Sequence, residues 1–175
     1  MIKIASVNGC DIFEVTKGDS EYIHNMFSSS YTEAVSEITT SDDWEPWVAT
    51  FIPDWFKYIF EPNLKVIESG KEEGYLSRYP YEDEISSEDK ARLHHPLFVI
   101  SAQKDAEYKN IIFATPLAGT EAVCITDNGE YWGGNSGGRY FSDVIGDKQL
   151  ANSISDEIYD YITKVEPPLK GTSEV

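Results

Sequence analysis

The stretch Met1-Ile2-Lys3-Ile4-Ala5-Ser6-Val7-Asn8-Gly9-Cys10-Asp11-Ile12-Phe13-Glu14-Val15 opens the chain and carries its clearest local signal. Ile2, Ile4 and Ser6 alternate with Lys3, Ala5 and Val7, the period-two pattern of a strand. Asn8-Gly9 follows, and Ile12, Phe13 and Val15 resume the β-rich run. Both central residues of a tight type I′ turn need positive φ, which Asn and Gly tolerate best. The stretch therefore predicts a β-hairpin.

Reading onward, Asp19 and Ser20 are placed to cap a short helix ending at Phe27, and a second short helix is expected over 32–38. Residues 44–60 gather Trp44, Trp47 and Trp55 with Phe51, Phe56, Tyr58 and Phe60. Pro53 suits the first turn of a helix over 53–60, and Pro62 is expected to close it. Its aromatic face fits core packing better than a ligand platform. Residues 64–68 read as a strand.

Residues 68–96 change character: they are acidic, carry Tyr75, Tyr79 and Tyr81, and show little periodicity, as a long surface insertion with one helical turn over 87–93 would. Four short strands follow at 97–102, 111–115, 121–126 and 130–132, with Asp127-Asn128-Gly129 as a second hairpin turn. Leu150, Ile154, Ile158, Tyr161, Ile162 and Val165 recur at helical spacing; Ser153 with Asp156 resembles a capping box, and Asp147 is an earlier possible start. The expected fold is α+β: one domain over 1–166 with a mainly antiparallel sheet, an N-terminal hairpin, short helices in the first half and a C-terminal helix packed on the sheet, and 167–175 as a flexible tail.

The 175 residues contain 14 Lys+Arg against 31 Asp+Glu, a formal net charge of −17. That imbalance excludes phosphate-neutralising nucleic-acid binding and docking on an anionic membrane. Four Trp, 11 Tyr and 8 Phe supply a core that a disordered acidic chain would lack. No run of about 18 apolar residues could span a bilayer. The N-terminal apolar run is too short for a signal peptide, so a cytoplasmic protein is expected. Cys10 and Cys124 are too few for a disulfide framework and read as two buried thiols.

Gly134-Asn135-Ser136-Gly137-Gly138 superficially resembles the loop around a chymotrypsin-like serine, but His24, His94 and His95 stand in no matching context and the strands are too few for two barrels. Adjacent His94-His95 point apart on a strand or a helix, and Asp127-Asn128-Gly129-Glu130 lacks the alternating ligands of a calcium loop, so no metal site and no cofactor is expected. With 31 acids some carboxylate pair is inevitable, so composition alone does not indicate a glycosidase. No catalytic residue is assigned.

The charge itself remains, and it has two readings: a solvated face or a protein-binding face. It concentrates at Asp42, Asp43 and Glu45 around Trp44, and at Glu82, Asp83, Glu84, Glu88 and Asp89 beside Tyr79 and Tyr81. Carboxylates speed encounter with a basic partner, and aromatic anchors hold the complex, so these residues are the candidate partner-binding set.

Tyr131-Trp132-Gly133-Gly134, the final helix written Leu150…Ser153-Ile154-Ser155-Asp156-Glu157-Ile158-Tyr159-Asp160-Tyr161-Ile162, and Ile52-Pro53-Asp54-Trp55-Phe56-Lys57-Tyr58-Ile59 together resemble the SUKH proteins over residues 50–165. The pattern departs from that family in opening with a hairpin and in carrying Glu61-Pro62-Asn63-Leu64 where Asn-Gly-Gly is usual. The resemblance implies a bacterial immunity protein that binds and occludes a cognate toxin, such as a nuclease. Two other classes compete: a nucleic-acid mimic of the phage anti-restriction kind, which needs a long acidic ridge, and a carboxylate-dependent hydrolase, which needs a pocket with two carboxylates in contrasting environments.

Overall fold

The computed structural model describes residues 1–27, 61–70, 74–76, 84–117, 121–127, 131–132 and 145–164. Strands β1 (Ile2–Val7), β2 (Cys10–Glu14), β3 (Leu97–Ser101), β4 (Asn110–Leu117), β5 (Glu121–Thr126) and β6 (Tyr131–Trp132) form one sheet in that order. Every neighbouring pair is antiparallel. Helix α1 covers 20–27, α2 is Glu61–Ser69, α3 is Ser87–Lys90 and α4 is Lys148–Lys164. The α+β class, the N-terminal hairpin and the C-terminal helix on the sheet are as expected.

The hairpin turns where the sequence places it. Val7 pairs Cys10, with Asn8 at φ 48° and Gly9 at φ 83°, the left-handed values of a type I′ turn. Strand alternation then sorts β2: Cys10, Ile12 and Glu14 are buried, while Asp11 and Phe13 are only partly so. Glu14 thus lies on the core face. β2 pairs β3 across more than 80 intervening positions, Ile12 with Ile100 and Glu14 with Phe98, so two strands remote in sequence lie side by side in the sheet.

On one face, Cys10, Ile12, Phe98, Ile100, Ile111 and Phe113 form a cluster with Leu150, Ala151, Ile154, Ile158 and Ile162 of α4. The opposite-parity residues Leu97, Val99 and Ile112 are also buried, so the sheet centre is covered on both faces. Burial pushes the Cys10 thiol above its usual pKa, with Asp11 adding, and it is a free thiol.

Helix α1 takes its cap from an unexpected place. The Asp19 side chain turns back to accept the Thr16 N–H at 2.7 Å and the Met1 ammonium at 3.1 Å. Burial works to raise its pKa, but those hydrogen bonds and the ammonium charge prevail and hold it below the usual carboxylate value. The free N–H groups at the start of α1 are met from α2 instead: Glu68 accepts from Gly18 at 3.0 Å and Ser20 at 3.3 Å. For α4 the cap is Asp147, whose Oδ1 accepts the Leu150 N–H at 3.0 Å, and not Ser153, which lies inside the helix.

Residues 64–68 form helix and not strand. Asn63, Leu64 and Ile67 are buried while Lys65 and Ser69 face solvent, the three-to-four spacing of a helix face. Pro62, expected to end a helix, instead sits in the first turn of α2, where its missing N–H leaves no bond unmade. The short helices expected over 32–38 and 53–60, the 128–129 turn centre and the 167–175 tail lie outside the described residues.

Ile158 is fully buried between α4 and the sheet. Ile158→Ala should lower unfolding free energy in urea by about 2–5 kcal/mol, against about 0.5 kcal/mol or less for exposed Glu157→Ala. Equal effects would show that α4 is not seated as described.

Candidate functional site

Among the candidate partner-binding residues, Asp42, Asp43, Trp44, Glu45, Tyr79, Tyr81, Glu82 and Asp83 lie outside the described residues. Glu84 and Glu88 are exposed. Asp89 is not available to a partner: it is 1 % exposed and closed into an internal network. Its Oδ1 takes the Arg92 guanidinium at 2.8 Å and its Oδ2 takes the Ser86 hydroxyl at 3.0 Å. The Asp89 N–H in turn donates to Ser86 Oγ, so Ser86 is the N-cap of α3 and the two side chains are tied to each other. That spacing, with a basic residue three positions on, is the signal the sequence reading passed over.

The acidic segment is also less of a surface loop than expected. Leu76, Ile85 and Leu93 form their own apolar cluster, and Arg92 through Pro96 are buried. Tyr75 and His94 make a one-residue parallel bridge, with the Leu76 N–H on the His94 carbonyl at 2.8 Å. Exposed Glu84 and Glu88 therefore stand on a packed base.

Beneath that base lies a polar cluster that sequence reasoning did not find. Alternation along β2 drives Glu14 into the core at 8 % exposure. Its Oε1 accepts the Tyr161 hydroxyl from α4 at 2.7 Å, and its Oε2 accepts the Tyr75 hydroxyl. Phe98 and His94 close the ring of aromatics, edge-on to Tyr161 at 6.2 Å and to Tyr75 at 5.3 Å. Burial, then the Glu14 charge and hydrogen bond, push the Tyr75 phenol far above its usual pKa. Tyr161 is raised as well, by burial first and by Glu14, against an opposing hydrogen bond from Tyr75. His94 is lowered to about 4, by burial first and then by His95, with the Gly74 carbonyl opposing.

Chemically, these groups hold protons in place. Both phenols stay protonated as donors, and each Glu14 oxygen is already engaged. No group of three or more His, Cys, Asp or Glu side chains converges among the described residues. His94 and His95 are buried and His24 faces Glu61 at 3.8 Å, while Ser136 lies outside the described residues.

A second feature is an open groove of about 730 Å³ at one end of the sheet, between the Asn8-Gly9 turn, the loop bearing Lys104, Asp105 and Glu107, and Ile145 ahead of α4. Its charged rim, Lys104, Asp105 and Glu107, is exposed, while Tyr108 in its lining is buried.

No helix among the described residues is long and apolar enough to cross a membrane. No protein-family model matches the chain, and no curated protein and no solved structure shows significant similarity to it.

Two measurements check these assignments. Asp89→Ala should destabilise by about 3–5 kcal/mol, because it removes the carboxylate paired with the buried Arg92 charge, whereas a surface carboxylate would change stability by about 0.5 kcal/mol or less. For the core cluster, a double-mutant cycle of Glu14→Gln with Tyr161→Phe should return a coupling of about 0.5–3 kcal/mol. Additivity would mean that the two side chains do not share a bond.

Proposed function

We propose that this protein is a binding inhibitor of the immunity type, which lays an acidic face on a basic partner domain, such as a nuclease toxin, and blocks substrate entry. The observation that carries the reading is the seating of the acidic segment. Glu84 and Glu88 project from a base closed by Leu76, Ile85 and Leu93, by the Asp89–Arg92 pair and by the Tyr75–His94 bridge. A charged face already ordered before encounter loses less entropy on binding, and its field steers a basic partner inward. The 31 acids against 14 bases supply the sign of that field. A cytoplasmic site of action and the resemblance to SUKH immunity proteins accord with this role.

The test starts with tagged protein on a resin, exposed to lysate of its source and washed at low and then high salt. A basic protein should be retained in stoichiometric amount, and its purified activity should fall to zero at one equivalent of inhibitor. Glu84→Lys with Glu88→Lys should then slow association by about tenfold or more and flatten its salt dependence, with stability unchanged. If no stoichiometric partner stays bound at low salt, the acidic surface is solvation and the reading fails. An unchanged association rate in the double variant would move the binding face elsewhere.

A further inference from the structure

We propose that the Tyr75–His94 bridge is an acid-released clasp: it holds residues 74–76 and 84–94 against the sheet near neutral pH and lets them open together in mild acid, while the sheet and α4 stay folded. Among the described residues, the segment is tied down by one bridge pair, the Leu76 N–H on the His94 carbonyl at 2.8 Å, the His94 N–H on the Gly74 carbonyl at 3.3 Å, and the Tyr75 hydroxyl on Glu14. Leu76, Ile85 and Leu93 pack in a cluster separate from the main core, so the segment has the makings of its own cooperative unit. Its far boundary is set at His95, whose N–H is held by Asn63 Oδ1 of α2 at 3.0 Å.

His94 is the weak point because burial and the neighbouring His95 disfavour its charged form, with only the Gly74 carbonyl acting the other way. It is 3 % exposed, and its Nδ1 has no hydrogen-bond partner. The ionisable groups facing it among the described residues offer no counter-ion. Tyr75 of the 74–76 segment presents a phenol held protonated by its surroundings. Glu14 of β2 lies beyond Tyr75 with both oxygens engaged by Tyr75 and by Tyr161 of α4. His95, beside it, disfavours a charge on the imidazole, and Asp89 is paired with Arg92. An uncompensated buried imidazolium is strongly disfavoured.

The consequence has a definite sign. In place, His94 stays neutral down to about pH 4. Once the clasp opens, the imidazole recovers its ordinary affinity near pH 6.5, so the opening equilibrium rises roughly tenfold per pH unit below that value, about 100-fold by about pH 4.5. The stabilisation is full above the ordinary value and falls away as pH drops toward the depressed one. Opening, and not global unfolding, is the response because, among the described residues, Leu76, Ile85 and Leu93 of the segment pack apart from the main cluster, which takes in Tyr75.

Amide hydrogen exchange read by mass spectrometry, as protection factors at about pH 7, 5.5 and 4.5, tests the clasp on the whole chain. Protection of Leu76, Leu93 and His94 should fall about 100-fold across that range, while Val99 and Ile100 of β3 and Ile154 and Ile158 of α4 hold theirs. His94→Phe keeps an aromatic ring against Tyr75 and removes the proton site; its segment amides should lose the pH dependence. Tyr75→Phe should loosen the same amides at every pH and leave the slope intact, which keeps the test decisive should His94→Phe fail to fold. A fall shared equally by β3, no fall at all, or a fall that persists in His94→Phe overturns the proposal.

Discussion

Glu14 is the constraint around which the rest of this molecule is arranged. Strand alternation along β2 puts its carboxylate on the same face as Cys10 and Ile12, in the middle of an apolar cluster. A carboxylate buried there without donors would be disfavoured by several kcal/mol. The chain meets it with two tyrosines, one from α4 and one from the acidic segment, so three regions remote in sequence share a single polar contact. Because both phenols are kept protonated by their burial and by Glu14 itself, the cluster maintains its own proton arrangement.

In a chain of net charge −17, each acid that is buried needs a donor of this kind. The described acids divide by environment. Glu14 and Asp89 are buried and matched by hydroxyls or a guanidinium, Glu68 and Asp147 satisfy helix N-termini, and Glu84 and Glu88 stand in solvent. Identical carboxyl chemistry serves as core bond, cap or surface charge, and only the last class is available to steer a partner. The base that carries those surface charges is fastened through Tyr75 and His94, so the electrostatic face and the core network are mechanically connected.

Much of this was legible from residue order, and the exceptions share a cause. The Asn8-Gly9 hairpin, the run of short strands after Leu97 and the apolar stripe of α4 are local patterns, in which a period or a turn residue suffices. Where short-range signals were ambiguous they misled: 64–68 alternates weakly and is rich enough in β-branched residues to read as a strand, yet the burial of Leu64 and Ile67 selects a helix. Asp89 looked like one more member of an acidic run, and its partner Arg92 was counted only as a charge.

From its order of residues alone, this chain determines the hairpin, the antiparallel class, the closing helix and the sign of its electrostatic field, because each depends on neighbours within a turn or two, or on composition. Tertiary structure alone decided which acids are inside, where Glu68 caps, and that Glu14 joins β2 to α4 and to the acidic segment. Tyr75 and Tyr161 stand 61 and 147 positions from Glu14. No local period reports a contact across such spans, since it exists only once the sheet and α4 have closed around one carboxylate.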